Sequence, residues 1–363
     1  MKLLIRSLLL VMIFIPLVMV RAQDDIQAQL DAYIAEIAPA DGPAVAARIT
    51  IDDETWAAAG GLADVTGDEP APADGRFRIA SMSKTFLAVA VMQLSEKGVL
   101  SVDDPISKWL PDDIVSSIAN ADQATIWQLL TMTSGIPEYL ENDFYNAVGA
   151  DPHHTWTAEE AITYAYDLPA VFAPGEGFEY INTNYVLLQL IVEAATKKPM
   201  YEVLREGILD PLNLKDTYVQ VKADAGGATL HGYEDFDGDG QDDDVTDIND
   251  GLGLGDGALV STTADLTTFY RGVFVDHEIL SEASTQAMID AGLNDNEYGA
   301  GLEVLDSDYG QLIGHTGAVL GFSGAVYYAD DLDAVVVILY GSTGLDEAHV
   351  NGLLDIASSA VED

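Results

Sequence analysis

The stretch that organises this chain is Phe77-Arg78-Ile79-Ala80-Ser81-Met82-Ser83-Lys84-Thr85-Phe86-Leu87-Ala88-Val89-Ala90-Val91-Met92-Gln93-Leu94. Apolar residues at 86, 87, 90, 91 and 94 follow the i, i+3, i+4 spacing of a helix. Ser81 then stands at the helix entrance, where unpaired N–H groups and the positive dipole end favour an anion. Lys84 is one turn on, so its amine can lean back to the Ser81 hydroxyl. On an open surface the pair is inert. In a dry cleft, desolvation lowers the lysine pKa and makes a nucleophile with an attached proton acceptor. Other residues must decide between the two.

Upstream, Lys2 and Arg6 precede an apolar run, and Val20-Arg21-Ala22 puts small or apolar residues at the −3 and −1 positions of a cleavage site. Residues 1–22 therefore read as a signal peptide cut after Ala22, giving a secreted or periplasmic protein. The alternative is an uncleaved anchor, since the run is nearly long enough to span a bilayer. No later segment matches it, so no stable membrane insertion is expected after cleavage. With 363 residues, 48% of them hydrophobic, residues 23–363 can build one large domain. There is no cysteine, which excludes disulfides, a cysteine nucleophile, zinc–thiolate sites and a lipid anchor on cysteine. The formal charge of −46 opposes binding to nucleic acid or anionic membranes. The acids read as a solubilising surface, with cation binding or a cationic substrate as the functional alternative.

Residues 23–37 carry Ile26, Leu30, Ile34 and Ile37 on one helical face, and residues 44–50 and 55–60 read as a hairpin turning at Asp52-Asp53. Residues 76–80 form an extended lead-in to the serine. Helical patterns at 125–135, 158–167 and 183–196 make the region from 119 to 211 mainly helical. Residues 310–314, 324–329 and 334–340 are β-rich, and 350–361 form a closing helix. The expected fold is α+β: an antiparallel sheet flanked by helices, built from about 23–100 and 250–363. A mainly helical subdomain of about 101–249 is inserted, with an acidic loop at 235–247.

Two further strings accompany Ser81 and Lys84. One is Glu179-Tyr180-Ile181-Asn182; the other is Gly314-His315-Thr316-Gly317-Ala318. Acyl transfer needs a nucleophile, a base that returns the proton, and donors aimed at the developing oxyanion. Ser81 can attack. Tyr180, its phenolate favoured by a nearby lysine ammonium, could take the proton, while Asn182 serves Lys84 and a substrate carbonyl. His315 and Thr316 offer a polar wall, and Gly317 lets substrate backbone approach. The Ala318 N–H can pair with the Ser81 N–H as an oxyanion hole. Neither Lys84 nor Tyr180 is singled out as the base, because their titrations would be coupled.

These strings, with Leu129 to Pro137 and Gly257 to Leu266, resemble the serine β-lactamase and penicillin-binding protein superfamily over roughly residues 44–339. The Tyr-x-Asn string is similar to the branch of class C β-lactamases, serine DD-carboxypeptidases and esterases. The resemblance implies that Ser81 is acylated, that Lys84 and Tyr180 share proton transfer, that Asn182 orients, and that no cofactor is required. His315, where many lactamases carry lysine, implies carboxypeptidase or esterase action on D-alanyl peptides or small esters and amides. If cationic, it would attract a substrate carboxylate. A β-lactamase and a non-hydrolysing penicillin- or muropeptide-binding protein are the alternatives, the latter disfavoured because every catalytic position is filled. Met132 and Ile181 replace a commoner histidine and serine without threatening the chemistry.

Separately, Asp235, Asp237, Asp239, Gln241 and Asp243 alternate as in a calcium loop, with glycine at the sixth position. Position 12 is Thr246 and not glutamate. A structural Ca²⁺ and a solvated acidic loop are both open.

Overall fold

The computed structural model describes residues 15–220 and 230–361. Most of the expected signal peptide, residues 1–14, lies outside that range. The first described helix runs Ile15–Ile37, earlier than the helix expected over 23–37, and buries Ile26, Leu30 and Ile34.

One six-stranded antiparallel sheet holds the two ends of the chain together. Its order is Glu54–Gly60, Val45–Ile51, Ala334–Tyr340, Phe322–Ala329, Gly310–Val319, Glu303–Ser307. The central strand reads Ala-Val-Val-Val-Ile-Leu-Tyr because both its faces are covered. Val335, Val337 and Leu339 enter the core around helix Ser83–Glu96; Val336, Ile338 and Tyr340 pack with Ile26, Leu30 and Leu353 beneath the terminal helices Ile15–Ile37 and Glu347–Val361. That split is the two-residue alternation of a strand.

Helix Ser83–Glu96 is buried from Ser83 through Leu94, with Phe86 stacked on Phe269 at 3.6 Å between ring centroids. A helix apolar on all sides belongs inside, and this one carries the end of the Ser81 segment into the core. Its lead-in strand, Phe77–Arg78, pairs with Leu259–Ser261, which pairs in turn with Tyr218–Val219. Helix Thr183–Thr196 packs beside it.

Two helices are shorter than the periodicity predicts. The helix expected over 125–135 is Ile126–Leu130, opened by a capping box between Thr125 and Gln128. It stops because Met132 takes φ +58° and Gly135 φ +64°; a Cβ on Gly135 would lie 2.1 Å from the Phe172 carbonyl oxygen. The helix expected over 158–167 is Ala158–Ala161 followed by the tighter turn Ile162–Ala165.

Candidate active site

Ser81 sits in the single turn Ala80–Met82 that precedes helix Ser83–Glu96. Ala80 holds φ +47°, an uncommon conformation for a residue with a Cβ, and it aims the next side chain into a cleft of about 660 Å³. The turn is pressed against strand Gly310–Val319 where that strand has glycine. A Cβ on Gly317 would lie 2.5 Å from the Ile79 carbonyl oxygen. Gly317 thus permits the close approach of the Ser81 turn, and it also lines the cleft where substrate backbone is expected.

Lys84 is fully buried, and its Nζ makes three short contacts: Ser81 Oγ at 2.9 Å, Asn182 Oδ1 at 2.9 Å and the Asp256 carbonyl oxygen at 2.8 Å. Burial pushes the Lys84 ammonium down to about 8, opposed by the carboxylates of Asp256 and Glu138. Two of its partners can only accept. The third, the serine hydroxyl, can donate, so a neutral Lys84 keeps both obligatory bonds and turns its lone pair to Ser81.

Tyr180 faces the Ser81 hydroxyl, which works to lower the phenol's pKa. Its phenol is nevertheless raised well above the ordinary range, burial outweighing the help from Ser81. Lys84 is not among the groups that move it, although its Nζ lies 4.9 Å from the Tyr180 ring centroid. The ring is 37% exposed along the cleft wall, while the hydroxyl end points inward to Ser81 and takes the desolvation. Tyr180 is thus a neutral phenol.

Asn182 is held by a residue that sequence reading passed over. Glu138 Oε2 accepts from the Asn182 backbone N at 2.7 Å and from Nδ2 at 3.0 Å, leaving Oδ1 for Lys84. Asp256 was also missed. Burial raises its carboxyl to about 6 against the pull of Lys84, and the Tyr139 hydroxyl donates to its Oδ2 at 3.0 Å.

His315 is 1% exposed, and its Nδ1 is bonded to the Thr316 carbonyl oxygen, so Nδ1 carries the proton. Nε2 lies 3.2 Å from the Tyr298 hydroxyl. Burial lowers the His315 pKa although Glu303 Oε1 stands 3.6 Å from Nδ1. A cationic His315 receiving a substrate carboxylate is therefore corrected: the imidazole is neutral and shielded.

Thr316 donates to Glu303 Oε1 through both Oγ1, at 2.7 Å, and its backbone N, at 3.2 Å. Its N–H therefore points away from the neighbouring strand Phe322–Ala329. Alternation along the strand turns the Ala318 N–H to the same free edge, and both Ala318 and Ser81 line the cleft. The two proposed oxyanion donors are thus brought to one place.

The acidic loop stands apart from this chemistry. It is the tip of a hairpin between Tyr233–Glu234 and Asp243–Asp244. Carboxylate oxygens of Asp235, Asp237 and Asp239 lie within 4.8 Å of one another, all exposed. Asp243 falls outside that group, and it pairs with Glu234 across the hairpin. The loop's own N–H groups at Asp239, Gly240 and Gln241 already bond the three carboxylates, which is how an acidic turn satisfies itself in water.

A buried lysine on a helix-entrance serine, a Tyr-x-Asn loop and a facing strand define a β-lactamase/transpeptidase-like serine hydrolase site. The chain matches the Beta-lactamase family over residues 30–358 and belongs to it. It is 29% identical over 281 residues to penicillin-binding protein 4* of Bacillus subtilis, covering 72% of this chain and 60% of that protein. It is 31% identical over 164 residues to esterase EstB of Burkholderia gladioli, covering 43% of this chain and 41% of the esterase. The alignments thus span less than two thirds of these relatives' own length. Among solved structures, a D-stereospecific amidohydrolase from Streptomyces has a TM-score of 0.78 at 26% identity, covering 91% of this chain and 97% of its own. The D-amino acid amidase of Ochrobactrum anthropi SV3 gives the same score and identity over 94% and 99%. Serine enzymes of this family need no cofactor. Among the described residues no helix is long and apolar enough to cross a membrane.

Proposed function

We propose that the chain is a serine hydrolase that cleaves a small ester or amide through an acyl-enzyme on Ser81. The observation that carries this reading is the Lys84 amine, buried, brought to about 8, and 2.9 Å from Ser81 Oγ with two obligatory acceptors on its other sides. Ser81 Oγ attacks the carbonyl carbon as its proton passes to Lys84. The Ser81 and Ala318 N–H groups receive the oxyanion. The bond to the leaving oxygen or nitrogen then breaks, and that atom receives the proton held by Lys84, directly or by relay through the Tyr180 hydroxyl, which ends the step neutral. Water attacks the Ser81 ester with the same groups acting in reverse, releasing the acid.

The esterase and amidase relatives support small esters and amides as substrates; cleavage of D-alanyl peptides is the narrower carboxypeptidase form of the proposal. Intact-mass spectrometry with a fluorophosphonate, and turnover of p-nitrophenyl acetate, test it. A single adduct on Ser81 and loss of turnover in Ser81→Ala are expected. Full activity in that variant would sink the mechanism.

The proposal also places the protein outside the cytoplasm, on the strength of residues 1–22. Loss of those residues from protein made in a secreting host is the expected result, and an intact N-terminus in exported material would refute cleavage after Ala22.

A further inference from the structure

Tyr298 makes and breaks no bond in the reaction, yet it touches both Tyr180 and His315. It is 4% exposed, and its ring meets the Tyr180 ring edge-on, at 5.6 Å between centroids and 88° between planes. Its hydroxyl lies 3.2 Å from His315 Nε2. Since Nδ1 holds the imidazole proton, Nε2 accepts and Tyr298 donates. The Tyr298 ring also stands square to the imidazole, at 5.7 Å and 90°. His315 thus has a task that needs no charge: it anchors Tyr298.

The backbone that carries Tyr298 is fixed on two sides. It enters the turn into strand Glu303–Ser307, where the Gly299 N–H donates to the Leu302 carbonyl at 2.8 Å and the Val304 N–H to the Glu297 carbonyl at 2.9 Å. The same turn is tied to the helix that carries Lys84, because Thr85 Oγ1 donates to the Gly301 carbonyl at 2.7 Å. The Gly301 N–H in turn donates to the Leu130 carbonyl at 3.1 Å.

Tyr298 also lines a hollow of about 360 Å³, together with Trp127, Thr131 and Phe178. Tyr180 lines the reaction cleft and not this hollow. Tyr298 is therefore the partition between the two spaces. Without its ring, the Tyr180 side chain gains room to turn away from Ser81.

We propose that Tyr298 is a positioning residue: anchored by His315, its ring keeps the Tyr180 hydroxyl on the proton path from Lys84 to the leaving group. The proposal rests on the serine-hydrolase reading and selects, of its two proton routes, the relay through Tyr180. In that relay the Tyr180 O–H proton passes to the leaving atom while the Lys84 ammonium returns one to the phenolic oxygen. Tyr180 ends neutral and Lys84 ends as the free amine.

The leaving group reads this out. p-Nitrophenolate departs without a proton, whereas ethoxide needs one. p-Nitrophenyl butyrate and ethyl butyrate form the same acyl-enzyme, so the ratio of their kcat/KM values isolates proton delivery in acylation. Tyr298→Leu keeps an apolar side chain in the core but has no ring edge. Its kcat/KM should fall about a hundredfold more for the ethyl ester than for the nitrophenyl ester, the scale of one proton-transfer group. Tyr298→Phe restores the ring and lacks only the anchor, so its ratio should fall about threefold to tenfold, the scale of one neutral hydrogen bond. In a Tyr180→Phe background, where the ratio is already low, Tyr298→Leu should lower it no further. Equal loss with both esters, or a further fall in that background, would overturn the inference and leave the Ser81 acyl-enzyme standing. Labelling of Ser81 by a fluorophosphonate shows that each variant is folded. If the leucine variant is not labelled, the phenylalanine variant decides, and an unchanged ratio there overturns the proposal. Absence of an adduct on wild-type Ser81 would instead remove the reading on which it rests.

Discussion

Glu138 and Asn182 form a closed pair: one carboxylate oxygen takes both the backbone and the side-chain N–H of the asparagine, at 2.7 and 3.0 Å. With its donors so occupied, Asn182 can present only Oδ1 to Lys84. The amide cannot flip without placing its oxygen against the Glu138 carboxylate. Glu138 is thus a positioning residue for the Ser81–Lys84 pair.

Glu138→Gln should lower kcat with little change in KM. Exchanging one charge-assisted bond for a neutral one sets the scale at about tenfold to a hundredfold. Steady-state kinetics with a p-nitrophenyl ester check it, and an equal loss in KM alone would count against a positioning role.

The pH dependence follows from Lys84. With its pKa brought to about 8, the neutral base is the minor form at pH 7, so kcat/KM should rise with pH and level off above about 8. Asp256, ionised above about 6, holds Lys84 up. In Asp256→Asn the amide oxygen still accepts from Tyr139 but the charge is gone, so the rising limb should move to lower pH. A limb that stays put, or moves up, would contradict the electrostatic link.

Ala318→Pro tests the oxyanion hole by removing one N–H. The position is on a free edge where no ladder bond is lost, so the fold should survive. Loss of one such donor is worth about a hundredfold to a thousandfold in kcat. Labelling of Ser81 by a fluorophosphonate, compared with wild type, gives an independent reading, and unimpaired kcat would remove Ala318 from the site.

Gly317→Ala drives a methyl group toward the Ile79 carbonyl, a backbone atom that cannot swing aside. Overpacking of this kind costs about 1–3 kcal/mol, which for a chain of this size lowers Tm by several degrees. Differential scanning calorimetry reads the loss. Because the displaced segment carries Ser81, activity should fall with it.

The sheet was legible because its strands leave local marks. The run at residues 334–340 is Val-rich and bounded by Asp and Gly, and its observed limits coincide with that run. The helices at 125–135 and 158–167 were overdrawn because periodicity is blind to backbone conformation at single residues. Met132 at positive φ ends the first against the demands of the loop that follows it. In the site, Ser81, Lys84, Tyr180, Asn182 and the 315–318 strand carry recognisable spacing. Glu138, Asp256 and Glu303 do not, being three of 61 acidic residues with nothing in their neighbours to set them apart.

What the sequence determined by itself was which side chains are available for acyl transfer and which elements carry them, since helix and strand periods are local properties. The ionisation states were decided only by the tertiary structure. Whether Lys84 is a base, Tyr180 a neutral phenol and His315 an uncharged ring depends on desolvation and on partners brought up by the fold, which for Lys84 lie 98 and 172 residues away in the chain. Burial and distance, which set a pKa, are sums over the whole fold.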